Sequence, residues 1–367
     1  MSITSHDRRC VLNVLVLGCL TDATGNAVTA PRIARHLEPE HRVVLADARA
    51  FRSPSELHTL VRHERIDAAI GLHALLAGPL MLAADVPYAL VFGGTDLYEP
   101  VHNLHMRQMS QAVASAECLV AFSPENQARA ESLWPSAVGR VRCIPQAVEV
   151  EVDEGYSLRR TLGLADDDVL LLLPAGLRQV KDPLHLIEAV VAWHRTDRRV
   201  HLVLVGAALE PWYADHVLGR VATSAGVHYV PSLPRARFLA AVCEAAVVLN
   251  TSLGEGMCGV ILEAMQLGTP VVARRNPGNA AIISHGRTGL LYETPQDFVR
   301  QTNSLLANKP YRERIGEAAR RYVDAVHAMA PERRAYLTLV RDLCPGVSRS
   351  RTSDSESLIT ACPPRPC

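Results

Sequence analysis

The chain has 367 residues, 48% of them hydrophobic and 21% charged, with 38 basic side chains balanced by 38 acidic ones. That length is about twice a common single domain of roughly 100–200 residues and predicts two cores. The charge balance removes the broad positive field by which a nucleic-acid or anionic-membrane binder holds its target, so an anionic ligand must be met by a few placed groups.

In chain order, short β-branched and Leu-rich runs alternate with longer helical patterns, which is the pattern of parallel strands covered by helices. The first run, after Arg8 and Arg9, resembles the start of a signal peptide over Arg8–Leu20, but its length fits a buried strand and not a membrane span. Strands are expected near Val11–Leu17, Arg42–Ala46, Asp67–Gly71, Tyr88–Phe92, Cys118–Phe122 and Val141–Ile144. The acidic segment Glu149–Ser157 lacks apolar periodicity and reads as a link between a domain over 1–150 and another over 151–343. The second domain should carry strands at Val169–Leu173, His201–Val205, Val247–Leu249 and Pro270–Ala273, and helices near Pro183–His194, Cys258–Leu267 and Tyr311–Val323. Residues 344–367 are rich in Ser, Pro and Arg and read as a disordered tail.

Nine cysteines are scattered without zinc or disulfide spacing, which favours a reducing compartment. The only Asn-x-Ser/Thr acceptor, Asn250-Thr251-Ser252, directly precedes the most informative motif, where a glycan would be hard to place. A cytoplasmic protein without a transmembrane segment is expected.

That motif is SLGEGMCGVILEAMQLGTPVV, residues 252–272. Gly254 and Gly256 allow a tight turn, Gly268 is placed to end a helix, and Pro270 precedes a buried strand. Such a turn aims the amides of Met257, Cys258 and Gly259 at one point, which suits an anion. Glu255 at the turn can accept from ring hydroxyls, and Glu263 can take both hydroxyls of a vicinal diol such as a ribose. A second motif, LPAGLRQVKDPLHLIEAV over 173–190, places Arg178 and Lys181 in a loop at the carboxyl edge of the sheet, where a diphosphate would lie. Asp182 and Pro183 there read as the N-cap and first residue of a helix. The run Asp166–Asp168 contains an Asp-x-Asp pattern, but it falls at the amino end of its strand, away from that edge.

The two glutamates at this spacing, followed by Ala-Met and Gly-x-Pro, resemble the group 1 family of retaining glycosyltransferases over roughly residues 165–300, with a weaker likeness over 11–150. The resemblance implies a GT-B type α/β fold of two facing Rossmann-like domains, each with a parallel sheet, and an interdomain cleft. It also implies a hexosyltransferase-type enzyme that retains anomeric configuration and moves a sugar from a UDP- or GDP-sugar to an unknown hydroxyl of a glycan, protein or small molecule. No cofactor, metal or nucleic acid is required. In this likeness Arg178, Lys181 and Glu255 carry catalysis. Gly256, Met257, Cys258, Gly259 and Glu263 hold the donor, joined by Gly25 and Asn26, which match a small glycine loop near the donor phosphates. The chain departs from the family at Met257 and Cys258, where Phe and Gly are usual, and at Gly93, where a His is common; His73 matches another family histidine. A nucleotide-sugar epimerase of the same fold and a binding protein that has lost transfer remain alternatives, separable by product formation.

Overall fold

The computed structural model describes residues 11–20, 25–99, 103–345 and 359–360, the last pair by backbone alone. The chain divides into two compact units, one comprising residues up to Ile144 and from Ala330 onward, the other Pro145–Met329. The sequence boundary at 150/151 is thus drawn at Ile144/Pro145. Nearly all of the last helix, Met329–Leu343, counts with the first unit and not with residues 151–343 as its position suggested.

The first unit is built on strands β1 (Asn13–Gly18), β2 (Arg42–Asp47), β3 (Ala68–Leu72), β4 (Tyr88–Val91), β5 (Cys118–Ala121) and β6 (Val141–Cys143), all parallel in the order β2-β1-β3-β4-β5-β6. β1 reads NVLVLG with every residue buried, as a central parallel strand covered on both faces requires. The described part of the signal-like run is therefore a core strand; Arg8 and Arg9 lie outside the described residues. Ile359–Thr360 form a strand, β13, that adds to β2. The remainder of the expected tail beyond Pro345 lies outside the described residues.

What returns the last helix to this unit is a buried ion pair. Arg32 of the helix Asn26–Leu37 donates from Nε to Glu332 Oε2 at 2.8 Å and from Nη2 to Oε1 at 3.1 Å, and His36 Nε2 lies 2.8 Å from Oε2. All three side chains are buried, and Leu337, Leu339 and Val340 bury the apolar stripe of the same helix.

The second unit carries β7 (Val169–Pro174), β8 (Val200–Val205), β9 (Val227–Val230), β10 (Val247–Asn250), β11 (Val271–Arg274) and β12 (Leu290–Tyr292) in the order β12-β11-β10-β7-β8-β9, again all parallel. β9 and β12, the two edge strands, were not anticipated. Chain progression reverses between β7 and β10, because β7 is followed on one side by β8 and flanked on the other by β10. This reversal is the topological switch point, outside whose carboxyl ends sheets of this type leave a crevice. The loops after β7 and β10 flank it.

Among the described residues no helix is long and apolar enough to cross a membrane.

Candidate functional site

The loop after β7 holds Arg178 in extended conformation, followed by a single 3-10 turn, Gln179–Lys181. Asp182 then takes a left-handed conformation, φ 41°. It does not cap the next helix, which begins at Ile187, because residues 183–186 form turns. Its carboxylate instead accepts from Arg274 Nη1 at 2.8 Å, at the carboxyl end of β11.

The loop after β10 is laced to this turn. Thr251 Oγ1 donates to the Lys181 carbonyl at 2.7 Å and Leu253 N donates to the Val180 carbonyl at 2.9 Å. The lacing brings Lys181 Nζ to 2.6 Å from Glu255 Oε1. That same oxygen accepts from Ser252 Oγ at 2.6 Å and Asn250 Nδ2 at 3.1 Å. Three donors on one oxygen fix the carboxyl plane, and no hydrogen bond from the described residues reaches Oε2. Burial acts to raise the Glu255 carboxyl, but Lys181, Ser252 and Asn250 outweigh it and hold it below the ordinary carboxylate range. Burial and the Arg178 guanidinium pull the Lys181 ammonium down, and the Glu255 carboxylate outweighs them, leaving it above its usual value. Both groups are charged at neutral pH.

Behind Glu255 lies a buried asparagine network that sequence reasoning missed. Asn279 Nδ2 donates to Asn250 Oδ1 at 2.9 Å, Ser252 N donates to the same oxygen at 3.1 Å, and Asn276 Nδ2 donates to the Ser252 carbonyl at 2.9 Å. Gly278, in the helix Pro277–Ile282 capped by Asn276, packs against the Glu255 main chain so closely that a β-carbon there would collide with the Glu255 carbonyl. The one sequence signal was the Asn250-Thr251-Ser252 acceptor. Its asparagine is buried with its amide nitrogen committed to Glu255 and, at 3.4 Å, to Cys258 Sγ, which leaves no route for a glycan in the folded unit.

The helix Gly259–Leu267 starts after Cys258 and ends at Gly268, φ 77°, as expected. Gly256, Met257, Cys258 and Gly259 therefore form the turn and first helical residue beside Glu255. Cys258 is buried, and burial with the nearby Glu255 carboxylate pushes its thiol up to about 12. Glu263 sits in the second turn, buried, its Oε1 accepting from Arg235 Nη1 at 2.8 Å. A β-carbon on Gly259 would stand 3.2 Å from Gln146 Nε2 and 3.9 Å from Glu263 Oε1, so both side chains lie over the helix start. Arg178, Lys181, Glu255, Glu263 and residues 256–259 are thus gathered on one face of the second unit. Asp166–Asp168 precede β7 at the other end of the sheet, where Asp168 Oδ2 accepts from Ala165 N at 2.8 Å.

Gly25 and Asn26 belong to the first unit, where Gly25 has helical torsions and its carbonyl accepts from Val28 N and Thr29 N. They follow β1 at that sheet's own switch point; Thr24 lies outside the described residues. Gly93 and His73 are packed on each other: a β-carbon at Gly93 would stand 2.7 Å from His73 Cδ2, so only glycine admits the ring. His73 itself is left-handed, φ 78°, with Nδ1 2.8 Å from the buried Asp96, whose carboxylate also accepts from Ala74, Leu75 and Gly93 main-chain N–H groups.

Two parallel-sheet units of this topology place the chain in the GT-B fold class. HepE of Anabaena, solved in complex with UDP-glucose, shares the fold with a TM-score of 0.75 at 17% identity, over 90% of this chain and 100% of that one. Sucrose-phosphate synthase of Thermosynechococcus elongatus gives 0.73 at 18%, over 90% and 99%. The family model for glycosyl transferases group 1 matches residues 157–322. A Xenopus tropicalis protein, glycosyltransferase 1 domain-containing protein 1, is 35% identical over 340 residues, 90% of this chain and 98% of that protein. The chain belongs to the group 1 glycosyltransferase family. D-inositol 3-phosphate glycosyltransferase of Thermobifida fusca is 28% identical over 221 residues, 56% of this chain and 51% of the relative.

Proposed function

We propose that the protein transfers a glycosyl group from a nucleoside diphosphate sugar to a hydroxyl acceptor with retention of configuration and without a divalent metal. The observation that carries this reading is the Lys181–Glu255 pair at the switch point of the second sheet. Its two halves suit opposite ends of the bond to be broken. One of the three ammonium protons of Lys181 is spent on Glu255, which leaves two for phosphate oxygens. Arg178 and the amides of Met257, Cys258 and Gly259 add to the charge stabilisation of the leaving diphosphate. Glu255, held through Oε1, presents Oε2 to the hydroxyls of the transferred sugar. Glu263 takes the ribose diol.

In the reaction the bond from the anomeric carbon to the diphosphate oxygen breaks, the acceptor oxygen bonds to that carbon, and the acceptor proton passes to the departing diphosphate. Retention follows the family resemblance, with no protein nucleophile assigned. UDP-sugars are the first donors to try, because a neighbour of the same fold was solved with UDP-glucose. The test incubates the protein with a panel of UDP- and GDP-sugars and mixed hydroxyl acceptors, reading release of nucleoside diphosphate and the anomeric configuration of the product. Glu255→Gln should bind diphosphate like wild type and lose turnover. An isomerised nucleotide-sugar without acceptor would make the protein an epimerase, and binding without any product would make it a donor-binding protein.

A further inference from the structure

Glu263 is not open to a ligand as it stands. Its side chain is 7% exposed, Oε2 is shut off from solvent, and Oε1 is covered by Arg235 at 2.8 Å. Arg235 is the first residue of the helix Arg235–Glu244 and is 38% exposed. Its other terminal nitrogen, Nη2, donates to the Glu149 carbonyl at 3.0 Å. Of the two partners the carboxylate is therefore the fixed half, seated in a helix interior, and the guanidinium is the movable half on a long stem at the surface.

We propose that Arg235 is a latch over Glu263 that sets the affinity for the nucleotide: a ribose diol gains the carboxylate only by displacing Arg235 from Oε1. The inference rests on Glu263 being the ribose-binding group. The physical argument is competition for one acceptor. A vicinal diol that binds a carboxylate must reach its oxygens, and with Oε2 shut off from solvent the approach it needs, to Oε1, is the one that the charged N–H of Arg235 now occupies. Without Arg235, Glu263 is a buried carboxylate with a charge partner removed, and a ligand that donates to it restores what was lost. The latch also discriminates, because a ligand with one hydroxyl replaces Arg235 less well than a ligand with two.

The experiment is calorimetric titration of UDP and 2′-deoxy-UDP, with GDP and 2′-deoxy-GDP in parallel, into wild type, Arg235→Ala and the Arg235→Ala, Glu263→Ala double variant. A half-exposed pair of this kind is expected to change affinity by about twofold to fivefold. Arg235→Ala should bind the ribonucleotide tighter by that factor, show no gain for the 2′-deoxy form, and lose the gain in the double variant. A melting curve confirms the fold; Arg235→Gln, which keeps a polar stem without the charge, should show a smaller gain and serves if the alanine variant does not fold. Unchanged affinity, or an equal gain for both sugars, overturns the latch. Weaker binding by Arg235→Ala overturns it too and makes Arg235 a direct ligand contact. If wild type binds neither diphosphate, the donor-site reading falls and takes the latch with it, whereas binding without the ribose-specific gain removes the latch alone.

Discussion

Lys181 and Glu255, 74 residues apart in sequence, meet at 2.6 Å because β7 and β10 are neighbours in the second sheet and each sends its following loop over the same edge. The pair is both a candidate site and a structural link, since the Lys181 ammonium is the single cation among the three donors on Glu255 Oε1.

Lys181→Ala should therefore cost stability as well as diphosphate affinity. Removing one partner of a mostly buried pair leaves the carboxylate uncompensated, at about 3 kcal/mol. Glu255 is depressed in the folded state, so its share of stability is present above the unfolded carboxyl value of about 4.3 and is lost as pH falls toward the folded one. Lys181 is raised, so its share is present below about 10.4 and is lost as pH rises through the folded value. The gap in melting temperature between wild type and variant should be flat near neutral pH and narrow below about pH 4.3. A gap that widens in acid would show that Glu255 is not held ionised by Lys181.

Gly278→Ala should disturb Glu255 without removing any polar group. The added methyl meets the Glu255 carbonyl, a backbone atom that cannot rotate away. Overpacking of this sort costs about 1–3 kcal/mol and shifts the loop that presents the carboxylate. Thermal melts should show the loss, and turnover should drop further than the melting point alone explains. Wild-type turnover in a destabilised Gly278→Ala protein would separate this contact from the site.

Glu332→Ala should unfold or loosen the first unit. It strands the guanidinium of Arg32, 3% exposed, in the interior, with an expected cost of about 3–5 kcal/mol. Urea unfolding followed by tryptophan fluorescence reads this directly, because Trp134 stacks on Phe92 in the core of that unit. A midpoint shift within error would mean that the last helix is held by its apolar stripe alone.

Chelation should leave transfer intact. The proposed diphosphate site is supplied by Arg178, Lys181 and a helix start, and the acidic run Asp166–Asp168 lies at the opposite end of β7. Turnover of the nucleotide-sugar before and after dialysis against EDTA measures this. Loss of activity restored by magnesium or manganese would place a cation in the reaction.

The sequence by itself determined the alternation of buried strands and helices, because Leu- and Val-rich runs such as VLVLG and VLLLL bury on both faces wherever they are placed. It determined the helix Gly259–Leu267 and its end at Gly268, since a left-handed terminus favours glycine locally. The two glutamates and the Arg-Lys loop were legible from motif and turn chemistry for the same local reason. The edge strands β9 and β12 were not, being 4 and 3 residues long with only brief apolar character. Nor could Pro183 be denied a helix start, because the left-handed Asp182 is set by its bond to Arg274, 92 residues away. Only the tertiary structure decided that Lys181 pairs with Glu255, that Asn250 and Asn279 stand behind it, that Arg235 covers Glu263 and that the last helix joins the first unit. Each is a contact between segments distant in sequence, and an amphipathic stripe or a lone Arg records that it needs a partner without recording which.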